Sequence, residues 1–230
     1  VEVPEVLFRD GLMLIVNKPP GVPVHAGPSG GPSLEDTFDA LRFGLPRPPA
    51  LAHRLDQDTS GCLVLGRHPK ALRRLGKLFS EGRVGKTYWA VTRGRPASDR
   101  GRIDFPLLKT SSAKKGWRMV VDESGKDAVT DYRVLGTGDG LAWIEFSPRT
   151  GRTHQIRVHC AQAGFPILGD PWYGVPADRG EVAPPLHLHA RSVELPLYKS
   201  KEAVVVDAPI PDGMHDGFSA LGAALDVEHQ

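Results

Sequence analysis

Cysteine is scarce in this chain, with only Cys62 and Cys160 in 230 residues. Two such residues make neither a disulfide framework nor a zinc-type ligand spacing. Long hydrophobic runs are missing as well. The longest aliphatic stretches, such as Leu12–Val16, fall far short of the roughly 20 residues that cross a bilayer as a helix. No basic segment leading into an apolar one opens the visible sequence, and no heptad, internal repeat or low-complexity tract interrupts it. These absences give the expectation of a soluble protein of a reducing cytoplasm. With 24% charged and 40% hydrophobic residues the composition is that of an ordinary globular chain able to bury one substantial core. A single domain over 1–230 is therefore expected. Its tail from Pro211 is weakly patterned and is either frayed or a last helix at Phe218–Leu225.

Acidic residues are almost absent from the middle of the chain. Between Arg67 and Arg118 stand 15 Lys/Arg and only 3 acidic residues, although the whole chain has a net charge of just +2. Such a segment suits a polyanion, and nucleic acid is the obvious one. A solvated basic helix and hairpin would have the same composition, so charge names a partner class and no reaction.

The periodicities predict a strand at Leu12–Val16 that ends in the turn Asn17-Lys18-Pro19-Pro20-Gly21. A helix is expected over Leu34–Phe43, capped by Ser33 with Glu35 and Asp36 in its first turn. A second fits Pro69–Ser80, with proline in its first turn, Leu72, Leu75 and Leu78 or Phe79 on one face, and Gly82 beyond its end. From Lys86 the pattern turns to strands: Thr87–Thr92, Arg102–Phe105, Trp117–Val121, Ala128–Leu135 and Ala142–Phe146. A helix at Thr153–Ala163 closed by Gly164 follows, then strands at Ala190–Leu195 and Ala203–Val206. Many strands, few helices and no regular βαβ alternation predict an α+β fold with a mixed, mainly antiparallel central sheet.

Chemistry concentrates in Leu51-Ala-His-Arg-Leu-Asp-Gln-Asp-Thr-Ser-Gly-Cys-Leu-Val-Leu65, where a charged cluster directly precedes a short apolar run that reads as a buried strand. Asp56 and Asp58 stand in it two residues apart. The segment Pro148-Arg-Thr-Gly-Arg-Thr-His-Gln-Ile-Arg-Val-His159 leads a glycine-containing turn into a helix start. Free backbone N–H groups there favour phosphate or carboxylate, and Arg152 adds a fixed charge. His187 and His189 alternate along a strand, but no third ligand accompanies them, and no metal is expected.

Taken together, His53-Arg54-Leu55-Asp56 with Thr59-Ser60-Gly61, Lys86-Thr87-Tyr88, and Gly151-Arg152-Thr153-His154-Gln155-Ile156-Arg157 resemble, in order, the motifs of the RluA-type pseudouridine synthases. Val16–His25, Pro166–Gly174 and Leu186–Ala190 extend the resemblance over most of the chain. It implies isomerisation of uridine to pseudouridine in RNA without a cofactor. Asp56 is then the nucleophile or base, Arg157 its ion-pair partner, and Tyr88 the residue beside the target base. The resemblance further implies substrate contacts for His53, Arg54, Arg152, Thr153, His154 and Leu188, with Arg54 filling the space of the flipped base. Charge adds Arg73, Arg74 and Lys77 on the outer helix face, Lys86, and the stretch Arg83–Arg102 as a grip on the flanking strand. The expected partner is a stem-loop of ribosomal or transfer RNA, met by a monomer with no obligatory protein partner. Many members of that family begin with a small S4-like RNA-binding domain, which is not visible here.

Two rival readings start from the same residues. Asp56 and Asp58 on an extended strand would lie about 7 Å apart on one face, as a glycosidase pair requires, although Asp58 beside Thr59-Ser60-Gly61 fits better as the organiser of an Asx turn. An RNA-binding or RNA-folding module without catalysis is the other.

Overall fold

The computed structural model describes residues 1–27, 30–112, 116–176, 182–198 and 201–224. They fall into two compact units, Val1–Lys86 with His189–Pro211, and Thr87–Leu188 with the residues from Asp212 on.

The elements of the chain are, in order, β1 (Glu5–Arg9), β2 (Met13–Lys18), a 3₁₀ segment (Leu34–Leu41), β3 (Ala50–Leu51), β4 (Ser60–Gly66), α1 (Pro69–Ser80) and β5 (Gly85–Arg93). Next come β6 (Arg100–Asp104), β7 (Leu107–Ser112), β8 (Gly116–Val121), β9 (Val129–Gly138), β10 (Leu141–Pro148) and α2 (Gln155–Gln162). Strands β11 (Leu188–Leu195) and β12 (Val204–Asp207) follow, and α3 (His215–Ser219) ends the described fold.

In the first unit β2 lies between β1 and β4, antiparallel to both, and β4 runs parallel to β11, which carries β12 antiparallel on its outer part. Every residue of β4 is buried, as are five of the six in β2. A strand covered on both faces loses the usual alternation, which is why both read as continuous apolar runs. Met13, Ile15, Cys62 and Val64 meet Leu75 and Leu78 of α1 in one core cluster, joined by Val193 and Leu195 of β11. Helix α1 keeps the bounds that its sequence predicts. His68 caps it, Nδ1 accepting from the Ala71 N–H at 3.2 Å, and Ala71, Leu75 and Leu78 form the buried face, with Leu72 and Phe79 half-buried.

The second unit is antiparallel throughout. Strands β5, β10, β9 and β6 pair in that order, and β7 and β8 form a separate hairpin. Its core joins Ala90, Ile144, Phe146, Ile156 and Leu188. The C-terminal residues are not frayed as far as they are described. Phe218 of α3 is fully buried, with its ring 6.3 Å from Trp89 and 6.4 Å from Trp143. That helix stops at Ser219, and residue 225 of the longer helix expected there lies outside the described residues.

Pairing that is parallel at β4–β11 and antiparallel within the other pairs given above, with few helices among the described residues, is the α+β arrangement that the sequence predicts. Two expected helices differ. The segment after Ser33 is 3₁₀ rather than α, with the Thr37 hydroxyl donating to the Leu34 carbonyl at 2.7 Å, and it ends before Phe43. Helix α2 begins at Gln155, because His154 takes the left-handed φ of 53°. Strands β1 and β7 had no counterpart in the sequence pattern.

Candidate active site

In the first unit the loop ahead of β4 is fixed from three sides. The Asp56 carbonyl accepts the Thr59 N–H at 3.2 Å, closing a β-turn over Gln57 and Asp58. Lys18, 0% exposed at the end of β2, spends its ammonium on three carbonyls: Gln57 at 2.7 Å, Pro19 at 2.8 Å and Thr59 at 2.9 Å. Gln57 Nε2 reaches back to the Gly21 carbonyl at 3.1 Å, tying this turn to the one after β2. Burial pushes the Lys18 pKa down to about 7, while the carboxylates of Asp58 and Asp56 favour its charged form. Asp56 itself is half-buried and Arg54 exposed.

Two expectations change here. The turn is organised by the Lys18 ammonium and by a backbone bond, and among the described residues no Asx-type bond from the Asp58 side chain contributes. A buried ammonium with three donors serves carbonyls that a single carboxylate could not. Asp56 and Asp58 are also the first and third residues of a turn, so the extended spacing behind the glycosidase reading is lost.

His53 is placed to hold the loop. Its Nε2 accepts the Val64 N–H at 3.0 Å and its ring stacks on Phe79 at 4.4 Å. Burial above all, then the charge of Lys86, pushes its pKa down to about 3, so the ring is neutral. Behind Ser60, whose Oγ meets His189 Nδ1 at 2.9 Å, the ring of His189 donates from Nε2 to the Ala208 carbonyl at 3.1 Å. Gly61 pairs with Ala190 of β11 at φ 105°, where an added Cβ would come within 2.2 Å of the Ala190 carbonyl oxygen. Only glycine allows β4 and β11 to approach so closely. Arg73, Arg74 and Lys77 lie exposed on the outer face of α1, Lys77 with Glu81 at 3.6 Å, and Lys86 is half-buried with its pKa lowered by that burial.

In the second unit Tyr88 stands half-buried on β5, opposite Phe146, and packs on the cluster that contains Leu188 and Ile156. Arg157, 3% exposed on α2, forms two parallel bonds with Asp170, which is 1% exposed: Nε to Oδ2 and Nη2 to Oδ1, both 2.8 Å. Asp170 Oδ1 also accepts the N–H groups of Trp172 at 2.8 Å and Tyr173 at 3.0 Å. Against the upward push of burial, the guanidinium and these N–H groups hold its pKa below the usual carboxylate value. The preceding Gly169, at φ 75°, leaves no room for a side chain, since a Cβ would sit 2.1 Å from the Pro185 carbonyl oxygen.

The helix start after Gly151 is partly closed from within the chain. Gln155 Oε1 takes the Arg152 N–H at 3.0 Å and the Thr150 hydroxyl at 2.7 Å, while its Nε2 donates to the Val129 carbonyl and Thr130 Oγ1, each at 3.0 Å. The backbone donor expected to meet phosphate at Arg152 is thus satisfied within the chain. Arg152 and Thr153 remain exposed, Arg152 Nε donating to the Asp127 carbonyl at 3.0 Å. His154 is buried, with Nδ1 2.9 Å from the Tyr173 hydroxyl and a pKa pushed down to about 4 by burial and by Arg157. His187 lies just before β11 and bonds the Pro185 carbonyl through Nδ1 at 2.7 Å.

Part of the basic charge is neutralised by folding. Strand β9 brings Asp131 to Arg102 and also to Arg149, at 2.7 Å each, and Arg95 meets Asp99 at 2.7 Å. Lys18, Gln155 and Asp170 are the site residues that the sequence reading did not single out. All three lie inside motifs, Lys18 and Asp170 in a turn and a loop, and Gln155 near the start of the helix expected over Thr153–Ala163.

A sequence model of RNA pseudouridylate synthases matches residues 12–162. An RNA pseudouridine synthase of Zymomonas mobilis, described as uncharacterized, is 47% identical over 93% of this chain and 97% of its own length. The chain belongs to the RNA pseudouridylate synthase family. A ribosomal large subunit pseudouridine synthase C of Haemophilus ducreyi is 37% identical over 89% of this chain, which spans 65% of that longer relative. Among solved structures, the human RNA pseudouridylate synthase domain containing 1 superposes with a TM-score of 0.76 at 29% identity, covering 97% of this chain and 91% of its own. The enzyme is thus an RNA pseudouridine synthase, an isomerase that turns uridine into pseudouridine within RNA.

Proposed function

We propose that Asp56 supplies the carboxylate that acts on the uridine. The reaction breaks the N1–C1′ bond, turns the detached uracil and joins C5 to C1′, and C5 loses a proton while N1 gains one. Atoms and charge balance without a redox partner, so a fixed carboxylate and a closed site suffice, with Asp56 as nucleophile or base. Tyr88 is assigned to the face of the base. Arg157 is the counter-charge of Asp56 by its place in the motif, and Arg54 fills the space of the flipped nucleotide. Extrusion of the uridine carries an unstacking cost of a few kcal/mol, roughly, that new contacts must offset. His53, Thr153, His154 and Leu188 complete the set as residues that shape the site, while Arg152, Lys86 and the α1 residues Arg73, Arg74 and Lys77 meet phosphate.

The observation that carries this reading is the Lys18 clamp. A fully buried ammonium is given over to the carbonyls of Gln57 and Thr59, on either side of Asp58, and its effect is to hold the turn that begins at Asp56. Desolvating a lysine is costly, and a structure that does so beside a half-buried carboxylate has fixed that carboxylate's backbone.

Ribosomal RNA is the substrate to try first, in keeping with the name of the Haemophilus relative, and transfer RNA second. The enzyme acts without a cofactor and as a monomer, in a reducing cytoplasm compatible with its two buried free thiols. Asp56→Asn tests the assignment: the variant binds RNA with the affinity of the wild type and forms no pseudouridine. Pseudouridine formed by this variant at the wild-type rate would move the chemistry to another group.

A further inference from the structure

The β7–β8 hairpin and the loop after α2 gather the rings of Trp117, Trp172 and Tyr173, which the isomerisation leaves unused. Trp172 is 38% exposed. Around it stand Trp117 at 5.1 Å and His154 at 4.9 Å between ring centroids, at interplanar angles of 64° and 82°, and Tyr173 at 6.4 Å and 52°. None of these neighbours lies parallel to the indole, so none uses it for face-to-face stacking. Cations surround the group: Lys109 Nζ is 4.7 Å from the Trp117 ring centre, and Arg118 Cζ is 5.5 Å from that of Trp172. Arg118 also donates from Nη1 to the Trp172 carbonyl, which fixes the guanidinium over the ring.

We infer that Trp172, braced by Trp117 and flanked by Lys109 and Arg118, is a stacking platform for an unpaired nucleobase of the substrate RNA next to the reacting uridine. An indole edge-braced by other rings and left open to solvent offers the flat apolar surface that a base seeks. The nearby ammonium and guanidinium answer the phosphate of the same nucleotide. Stacking tolerates any base, since each has a π face, and it selects for a nucleotide free of its helix. The link to the chemistry is Asp170, whose Oδ1 accepts both the Trp172 N–H and Arg157 Nη2, at 2.8 Å each. Arg157 Cζ lies 5.9 Å from the Trp172 ring centre. The platform therefore sits beside the arginine assigned above to the reacting site, and its placement next to the uridine rests on that assignment.

The test compares the affinity of wild type, Trp172→Ala and Trp172→Phe for an RNA stem-loop and for a fully paired duplex of the same stem, together with tritium release from C5-labelled uridine. Trp172→Ala weakens stem-loop binding roughly tenfold or more, Trp172→Phe restores most of it, and the duplex binds all three proteins alike, which also reports that the variants are folded. Indole emission falls when the stem-loop binds to wild type, and Trp172→Phe loses that part of the quenching. Stem-loop affinities for both variants indistinguishable from wild type would overturn the inference. A wild type that binds the stem-loop through Trp172 yet releases no tritium would support the platform and count against the role given to Asp56.

Discussion

At the scale of single residues, the motif around Asp56 is visible in the sequence, while the groups that hold it are not. Lys18 lies 41 positions before Thr59, whose carbonyl it serves. Nothing local marks it as anything but a lysine ahead of a turn. Asp170 is hidden in the same way, because its value comes from Arg157 thirteen residues earlier in sequence and from complete burial. Breaking one partner of such a pair leaves a charge without its counterpart. Asp170→Asn is accordingly expected to lower stability by about 3–5 kcal/mol, read from the urea midpoint. Pseudouridine formation should fall further than the folded fraction alone accounts for, because the guanidinium of Arg157 loses its orientation. Unchanged stability and activity in this variant would show that the ion pair is ornamental.

At the scale of elements, legibility follows from how much of the instruction is local. Helix α1 keeps its expected bounds, since a proline at the start, leucines at helical spacing and Gly82 beyond the end are all near neighbours. Strand β4 was visible as an apolar run for the same reason. Strand β1 and strand β7, Leu107–Ser112, escape the sequence pattern, because short strands with mixed faces lack a strong alternation. Helix α2 starts two residues later than its periodicity predicts, because Gln155 reaches back to the Arg152 N–H and His154 adopts a left-handed turn, side-chain and backbone choices that periodicity does not report. The parallel contact of β4 with β11 is set by Gly61. Gly61→Ala places a methyl against the Ala190 carbonyl oxygen at a positive φ, and the expected loss is about 4 kcal/mol or more. Chemical denaturation monitored by circular dichroism checks this, and a midpoint equal to wild type would refute the close approach.

At the scale of the whole molecule, the sequence shows a basic middle, and folding redistributes it. Asp131 lies outside the window Arg67–Arg118, yet the β6–β9 register sets it opposite Arg102, so a linear count overstates the charge available to RNA. The exposed cations of α1 keep theirs more fully. Acid sensitivity also belongs to the whole chain. His53, His154 and His189 have pKa values pushed down from 6.5 to about 3, 4 and 4, burial being the main cause in each. A group with a depressed folded pKa binds fewer protons folded than unfolded, so stability is full above pH 6.5 and is lost as pH falls toward about 4. Thermal unfolding across that range should show the decline, and His53→Gln should make it shallower; a stability independent of pH there would contradict the neutral histidines. The central claim is that Asp56, held by Lys18, isomerises uridine in RNA. Release of tritium from total RNA labelled at C5 of uridine, with wild type and Asp56→Ala compared and each pseudouridine mapped, tests it most directly. Release by wild type alone, at defined positions, is the predicted result; release by both proteins, or by neither when both are folded, would contradict it.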